Sequence, residues 1–276
     1  NHPVCEKLII DSLRFWVKEM HVDGFRFDEG SVLSRGEDGV PLEHPPVVWS
    51  IELDDLLGQA KVIAEAWDAA GLYQIGTFPG ARWAEWNGKY RDCIRGFIKG
   101  DPGLLGELAG RLTGSADLYQ YRHHEPTNSV NFVCAHDGFT LYDLTAYNDK
   151  HNWANGEGSN DGIDDNVSWN CGIEGETTDS WINDLRERQV KNFAVTHMLS
   201  MGVPMIVAGD EFMRSQGGNN NTYCHDNEIN WFDWSKIATK DSQEMIRFWT
   251  LLIQKRKRYV DHFKGKYFSG ECNKYG

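Results

Sequence analysis

Basic residues are scarce in this chain: 28 Lys and Arg stand against 41 Asp and Glu, for a net charge of −13. That balance leaves no strongly basic face for nucleic acid or an anionic membrane, so neither is expected as a partner. Long apolar runs are also missing, since none approaches the eighteen or so residues of a membrane-spanning helix. The six cysteines (Cys5, Cys93, Cys134, Cys171, Cys224 and Cys272) include no Cys-x-x-Cys pair. Neither a zinc site nor a disulfide scaffold is indicated, and a reducing compartment is the simplest setting. No internal repeat, low-complexity tract, signal peptide or transit peptide is visible, and the chain opens on Asn1 instead of an initiator Met. We read that abrupt start as the mark of a fragment or trimmed chain.

What the chain does have is three carboxylates, each at the end of an apolar, strand-like run. They are Asp28 after His21–Phe27, Glu65 after Val62-Ile-Ala64, and Asp137 after Val130–His136. The segments between them are long enough to hold helices, which suggests parallel strands delivering acids to one common face. Such a face suits glycosidic bond cleavage with retention. One carboxylate attacks the anomeric carbon, and a second, protonated one about 5–5.5 Å away gives a proton to the leaving oxygen. A third acid can hold sugar hydroxyls and help keep the other two in unequal protonation states.

Hydrophobic periodicity supports this layout. Asn1-His2-Pro3 supplies a cap and an early proline, and Val4, Leu8, Leu13, Trp16 and Met20 roughly trace one helical face. Strands are expected near 22–27, 61–64, 81–87, 129–135 and 204–208. Helices are expected near 47–58, 90–99, 104–112, 179–201 (capped by Asp179 or Ser180) and 242–258. This alternation is the rhythm of a (β/α)8 barrel.

The segment 148–178 is rich in Gly, Asn and Asp and is longer than ordinary connections. Two readings stay open for it, a rim that shapes a cleft and a solvated surface excursion. Asp161, Asp164 and Asp165 are candidate Ca²⁺ ligands but lack the spacing of an EF-hand loop. Eleven tryptophans and ten tyrosines suit sugar stacking, although most will serve the core.

Three segments carry a specific resemblance: Asp23-Gly-Phe-Arg-Phe-Asp28, Ile63-Ala-Glu-Ala-Trp-Asp68 and Phe132-Val-Cys-Ala-His-Asp-Gly-Phe-Thr-Leu141. They look like successive signature segments of the α-amylase superfamily, glycoside hydrolase family 13. The intervening text, including Trp83–Asp92, Tyr147–Asn152 and Gly218–Asn227, is similar to the isoamylase-type starch debranching enzymes of plants and algae. The resemblance implies Asp28 as nucleophile, Glu65 as general acid/base and Asp137 as the acid that stabilises the transition state. It also implies Arg26 and His136 as substrate-site residues, with no metal and no cofactor.

The fold it implies is α/β: strands four to eight of a (β/α)8 TIM barrel over 1–258, with the beginning of a truncated C-terminal β-sandwich over 259–276. Lacking the earlier strands, the fragment alone would be inactive. The implied substrates are branched α-glucans (amylopectin, glycogen and malto-oligosaccharides), with homo- or hetero-oligomers of isoamylase subunits as a further implication. The implied location is the plastid stroma in a plant or alga and otherwise the cytoplasm. Glu29-Gly30 departs from the small apolar pair usual after the nucleophile and puts an extra charge beside Asp28. Two alternatives are a non-catalytic glucan-binding subunit, against which the retention of all three acids counts, and an α-1,4-acting enzyme of the same family.

Overall fold

The computed structural model describes residues 1–259 and 265–268. Its strands are β1 (Gly24–Phe27), β2 (Lys61–Ala64), β3 (Ala84–Trp86), β4 (Ser129–Phe132) and β5 (Val203–Met205). They form one sheet in chain order, and the pairs β1–β2, β2–β3 and β3–β4 are parallel. The helices are α1 (Pro3–Lys18), α2 (Pro46–Leu53), α3 (Gly88–Lys99), α4 (Leu105–Leu112), α5 (Ala116–Tyr119), α6 (Ser180–Leu199) and α7 (Lys240–Tyr259). This α/β order, with helices between β1 and β2 and between β3 and β4 and a helix-free connection over 65–83 between β2 and β3, is that of a partial (β/α)8 barrel, as the sequence leads one to expect. By its contacts the described chain divides into two compact units, one of Asn1–Asn87, Gly114–Val130 and 265–268, the other of Gly88–Thr113 and 131–259.

In the first unit α1 begins at His2, whose side chain accepts the Val4 N–H at 3.2 Å, with Pro3 in the first turn. The face it buries differs from the one the spacing suggests. Val4, Leu8, Trp16 and Met20 are exposed, whereas Leu13 is buried and Ile9, Ile10 and Val17 pack with it against the core. Because α1 carries apolar residues on more than one side, periodicity could not say which stripe would be covered. Gly24 opens β1 because a Cβ there would lie 2.7 Å from the Lys61 carbonyl oxygen across the β1–β2 pairing. Val48, Ile51, Leu57, Ala64, Phe78 and Trp83 form the core behind these strands. Arg82 ties its polar edge together, donating to the carbonyls of Ala60 (2.6 Å), Leu57 (3.1 Å) and Ile51 (3.2 Å).

In the second unit α3, α6 and α7 bury Tyr90, Ile94, Val190, Phe193, Met245 and Trp249 around the segment that follows β4. Asp179 caps α6 as expected, accepting the N–H groups of Trp181 (2.9 Å) and Ile182 (3.3 Å). Arg256 on α7 satisfies carbonyls in the last turn of α6 and just beyond it, donating to Met198 (2.7 Å), Ser200 (2.9 Å) and Gly202 (2.6 Å). Two strands are shorter than their apolar runs. β4 stops at Phe132, so 133–136 lead irregularly to Asp137, and β5 stops at Met205. The run 133–135 goes instead into the core of the second unit, where burial does not require ladder hydrogen bonds. The expected β-sandwich start at 259–276 lies outside the described residues apart from Tyr259 and 265–268.

Glu85 is a fully buried acid on β3 that accepts the Gly76 N–H at 2.5 Å, and burial pushes its pKa from 4.5 to about 7. A raised carboxyl makes the native state hold a proton that the unfolded chain has lost, so its contribution falls as pH rises from about 4.5 through 7. Glu85→Gln should therefore flatten the decline of melting temperature between pH 5 and pH 8, roughly the window this shift spans. Thermal melts across that range test it, and parallel curves for both proteins would refute it. Asp179→Ala should cost about 1 kcal/mol through loss of the α6 cap, read as a lowered denaturation midpoint.

Candidate active site

Strand alternation in β1 sends Phe25 and Phe27 toward the core of the first unit and Arg26 to the other face. There the guanidinium lies over the Trp86 ring, 3.8 Å from its centroid. It pairs with Asp28 through Nη1, and its Nη2 lies 3.0 Å from Glu65 Oε2. Arg26, Asp28 and Glu65 are thus brought together by the ends of two adjacent parallel strands. The two acids see different surroundings, Asp28 with a side chain 68 % exposed and Glu65 with one 4 % exposed.

Glu29 takes a left-handed conformation (φ 43°), and its backbone N–H donates to Glu65 Oε2 at 2.5 Å. β1 has already ended at Phe27, so the turn at Glu29, rather than strand alternation, sets the direction of its exposed side chain. Gly30 follows because a Cβ there would come 3.0 Å from the Glu65 carbonyl oxygen.

The loop after Glu65 is braced by Asp68. Its carboxylate takes Arg35 Nε at 2.6 Å and Nη2 at 3.0 Å, and the N–H groups of Ala70 and Leu72 at 3.0 Å. The Arg35 hydrogen bond leads in holding the Asp68 pKa below the usual carboxylate range, with backbone N–H bonds adding to it against the cost of burial. Within this loop Trp67 stacks on Tyr73, with centroids 6.2 Å apart and planes 18° from parallel.

His136 and Asp137 lie in the second unit, with Nδ1 and Oδ1 3.6 Å apart and both side chains more than half exposed. They line a cleft of about 590 Å³ together with Arg214, Gln216, Tyr223 and Phe232. Gly138 (φ 103°) turns the chain after Asp137, and its N–H donates to the Asn220 carbonyl at 2.7 Å. Arg214 is held by Asn230, through its carbonyl at 2.6 Å and Oδ1 at 3.0 Å, and lies 4.7 Å over Phe232.

Beneath the cleft Asp143 accepts Ser215 Oγ (2.6 Å) and the Gln216 N–H (2.8 Å), and burial raises its pKa to about 6. Asp210, also buried, accepts the Leu141 N–H at 3.0 Å and is pushed up to about 7. Sequence reasoning missed Trp86, Arg214 and Tyr223. Trp86 and Tyr223 lie in segments that carry the resemblance, Trp83–Asp92 and Gly218–Asn227, without being singled out there, whereas nothing local marks Arg214.

The acids of the 148–178 loop are not gathered for a cation. Asp161 accepts from Asn155 (2.6 Å) and Asn221 (2.9 Å), Asp164 pairs with Lys150 (2.7 Å), and Asp165 accepts the Val167 N–H (3.0 Å). Among the described residues no group of three His, Cys, Asp or Glu side chains is placed to hold a metal ion.

Comparison with known proteins adds the family context. No protein-family model matches the chain. It is 56 % identical over 255 residues to chloroplastic isoamylase 3 of Oryza sativa subsp. japonica, covering 90 % of this chain and 33 % of that protein. It is 51 % identical over 276 residues to chloroplastic isoamylase 1 of Arabidopsis thaliana, covering 93 % and 35 %. A glycogen operon protein GlgX homolog of Mycobacterium tuberculosis is 50 % identical over 271 residues, with 98 % and 37 % covered.

Among solved structures, the pullulanase from Anoxybacillus sp. LM18-11 complexed with maltotetraose matches with a TM-score of 0.61 at 26 % identity, over 91 % of this chain and 33 % of that one. The chain spans about a third of the length of the relatives it matches. At half identity or better along nearly its whole length, it is a homologue of the isoamylase-type debranching enzymes, corresponding to about one third of their sequence.

Proposed function

We propose that this chain carries the catalytic acids of a retaining glycoside hydrolase that cleaves α-1,6 branch linkages in starch- or glycogen-type glucans. The observation that carries this reading is the single guanidinium of Arg26 joined to both Asp28 and Glu65. An exposed carboxylate beside an arginine is available to attack carbon, while the enclosed one beside it suits proton transfer.

In this mechanism Glu65 gives its proton to the bridging oxygen as Asp28 bonds to the anomeric carbon and the leaving chain departs with a free hydroxyl. Glu65 then takes a proton from water, whose oxygen displaces Asp28 and releases the second sugar. Arg26 pairs with Asp28 and orients it for attack, while the family resemblance gives Asp137 and His136 the role of holding sugar hydroxyls. No step in this scheme calls for a cofactor.

The names of the relatives support the bond: they are isoamylases and a glycogen debranching enzyme, and a pullulanase has been crystallised with maltotetraose. On this reading the substrates are amylopectin, glycogen or malto-oligosaccharides. The site of action is the plastid stroma in a plant or algal source, and assembly with isoamylase subunits completes the assignment. The chloroplastic relatives favour that location.

The test uses the natural polypeptide that carries this sequence. Asp28→Asn and Glu65→Gln should each lower kcat on amylopectin at least roughly a thousandfold, about 4 kcal/mol in the barrier, with KM little changed. Retention of activity in either variant would remove that residue from its role. Asp137→Asn, losing a contact that strengthens in the transition state, should lower kcat more than it raises KM.

A further inference from the structure

The long 148–178 loop is stitched to the segment that follows Gln216. Asn152, fully buried, donates to Asn220 Oδ1 at 2.8 Å and accepts the Asn220 N–H at 3.0 Å. Asn155 donates to the Asn221 carbonyl (2.8 Å) and receives Asn219 Nδ2 (2.6 Å) at its own oxygen. From the other end of the loop, Asn166 Oδ1 accepts Asn220 Nδ2 at 2.9 Å. Buried amides matched in this way leave little freedom, so the loop is an ordered wall and not a slack excursion.

One contact of this wall is different in kind. Tyr223 is 70 % exposed and lines the same cleft as His136 and Asp137, and its phenol OH donates to Glu157 Oε1 of the loop at 2.8 Å. A large aromatic left open to water on a cleft wall is unused apolar surface. A single hydrogen bond at the tip of the ring limits how it can turn. Around it Gln216, Asn221, Asn230 and Arg214 also line the cleft, and hydrogen bonds among themselves and to Thr222 and Asp161 fix this polar rim beside the open ring.

We propose that Tyr223 is a sugar-stacking platform that sets glucan affinity in this cleft, oriented by the 148–178 loop through Glu157. The proposal rests on the reading above that an α-glucan occupies the cleft, with the ring face as the main determinant of chain binding and the tie to the loop a minor one. A sugar packed on the ring gains its apolar contact without disturbing the bond to Glu157, because stacking uses the face of the ring and the hydrogen bond its tip. Glu157 acts only through Tyr223 and is a positioning residue.

The experiment measures binding of maltoheptaose by titration calorimetry, and KM and kcat on amylopectin, in the natural polypeptide and in four variants. Tyr223→Ala and Tyr223→Leu, which lack a flat face, should bind maltoheptaose about tenfold or more weakly and raise KM with kcat nearly unchanged. Tyr223→Phe keeps the platform and loses the tie, so it should stay within about threefold of the parent. Glu157→Ala, which removes the acceptor of the phenol proton, should weaken binding to the same small degree as Tyr223→Phe.

A structural role alone predicts another pattern: Phe, Leu and Ala would all lose the tie and behave alike, with equal losses in melting temperature. That result, or undiminished affinity in Tyr223→Ala and Tyr223→Leu, would overturn the proposal while leaving the debranching reading intact. A parent protein that neither binds maltoheptaose nor debranches amylopectin would overturn both.

Discussion

The Arg26 guanidinium is the interaction on which the candidate site of the first unit depends. It is a cation on a half-buried strand, stacked on Trp86 and shared between Asp28 and Glu65. Two carboxylates at neighbouring strand ends would repel each other, and Arg26, paired with both, offsets that repulsion. A lysine could not do this, since its ammonium is a single point donor with no planar face to lie on an indole. The backbone supplies the rest: the Glu29 N–H joins Arg26 at Glu65 Oε2, and Gly30 gives the close approach to the Glu65 backbone. Parallel pairing of β1 with β2, register Arg26↔Ile63 and Phe27↔Ala64, is what brings these ends level.

The second unit is built on a different economy. Its cleft is walled by irregular chain, and irregular chain must find partners for every backbone group that helices and strands satisfy automatically. Asparagine does most of that in the 148–178 loop and in the Gly217–Asn230 segment, because one side chain can accept and donate at once. Fully buried Arg186 serves the same purpose from α6, giving hydrogen bonds to the carbonyls of Asn170 and Ile173. Positive-φ positions at Gly138, Gly162, Gly172 and Gly218 let the chain reverse inside this network.

Much of the architecture was legible in the residues. β2 runs over Lys61–Ala64, and the helices α3, α4, α6 and α7 lie within two residues of where apolar spacing puts them, with Asp179 at the α6 cap. These elements are long or strongly patterned, so local preference and tertiary packing agree. Where apolar residues cover two sides of one element, as on α1, or continue past the end of a ladder, as after β4, pattern could not tell burial from pairing. There the structure differs from the expectation. The 148–178 loop also turned out to be tightly hydrogen-bonded, since a run rich in Asn and Gly reads alike whether its amides meet water or each other.

The amino-acid sequence by itself determined the identity of the acids, their order along the chain, and the alternation of strand and helix that carries them, because these follow from residue type and period. Only the tertiary structure decided which side chains share a guanidinium, which carboxyls are buried far enough to hold a proton near neutral pH, and that Tyr223 meets Glu157 across 66 residues of chain. Those are contacts between residues distant in sequence. Their energies depend on distance and on how much water is excluded, and neither quantity exists until the chain has packed.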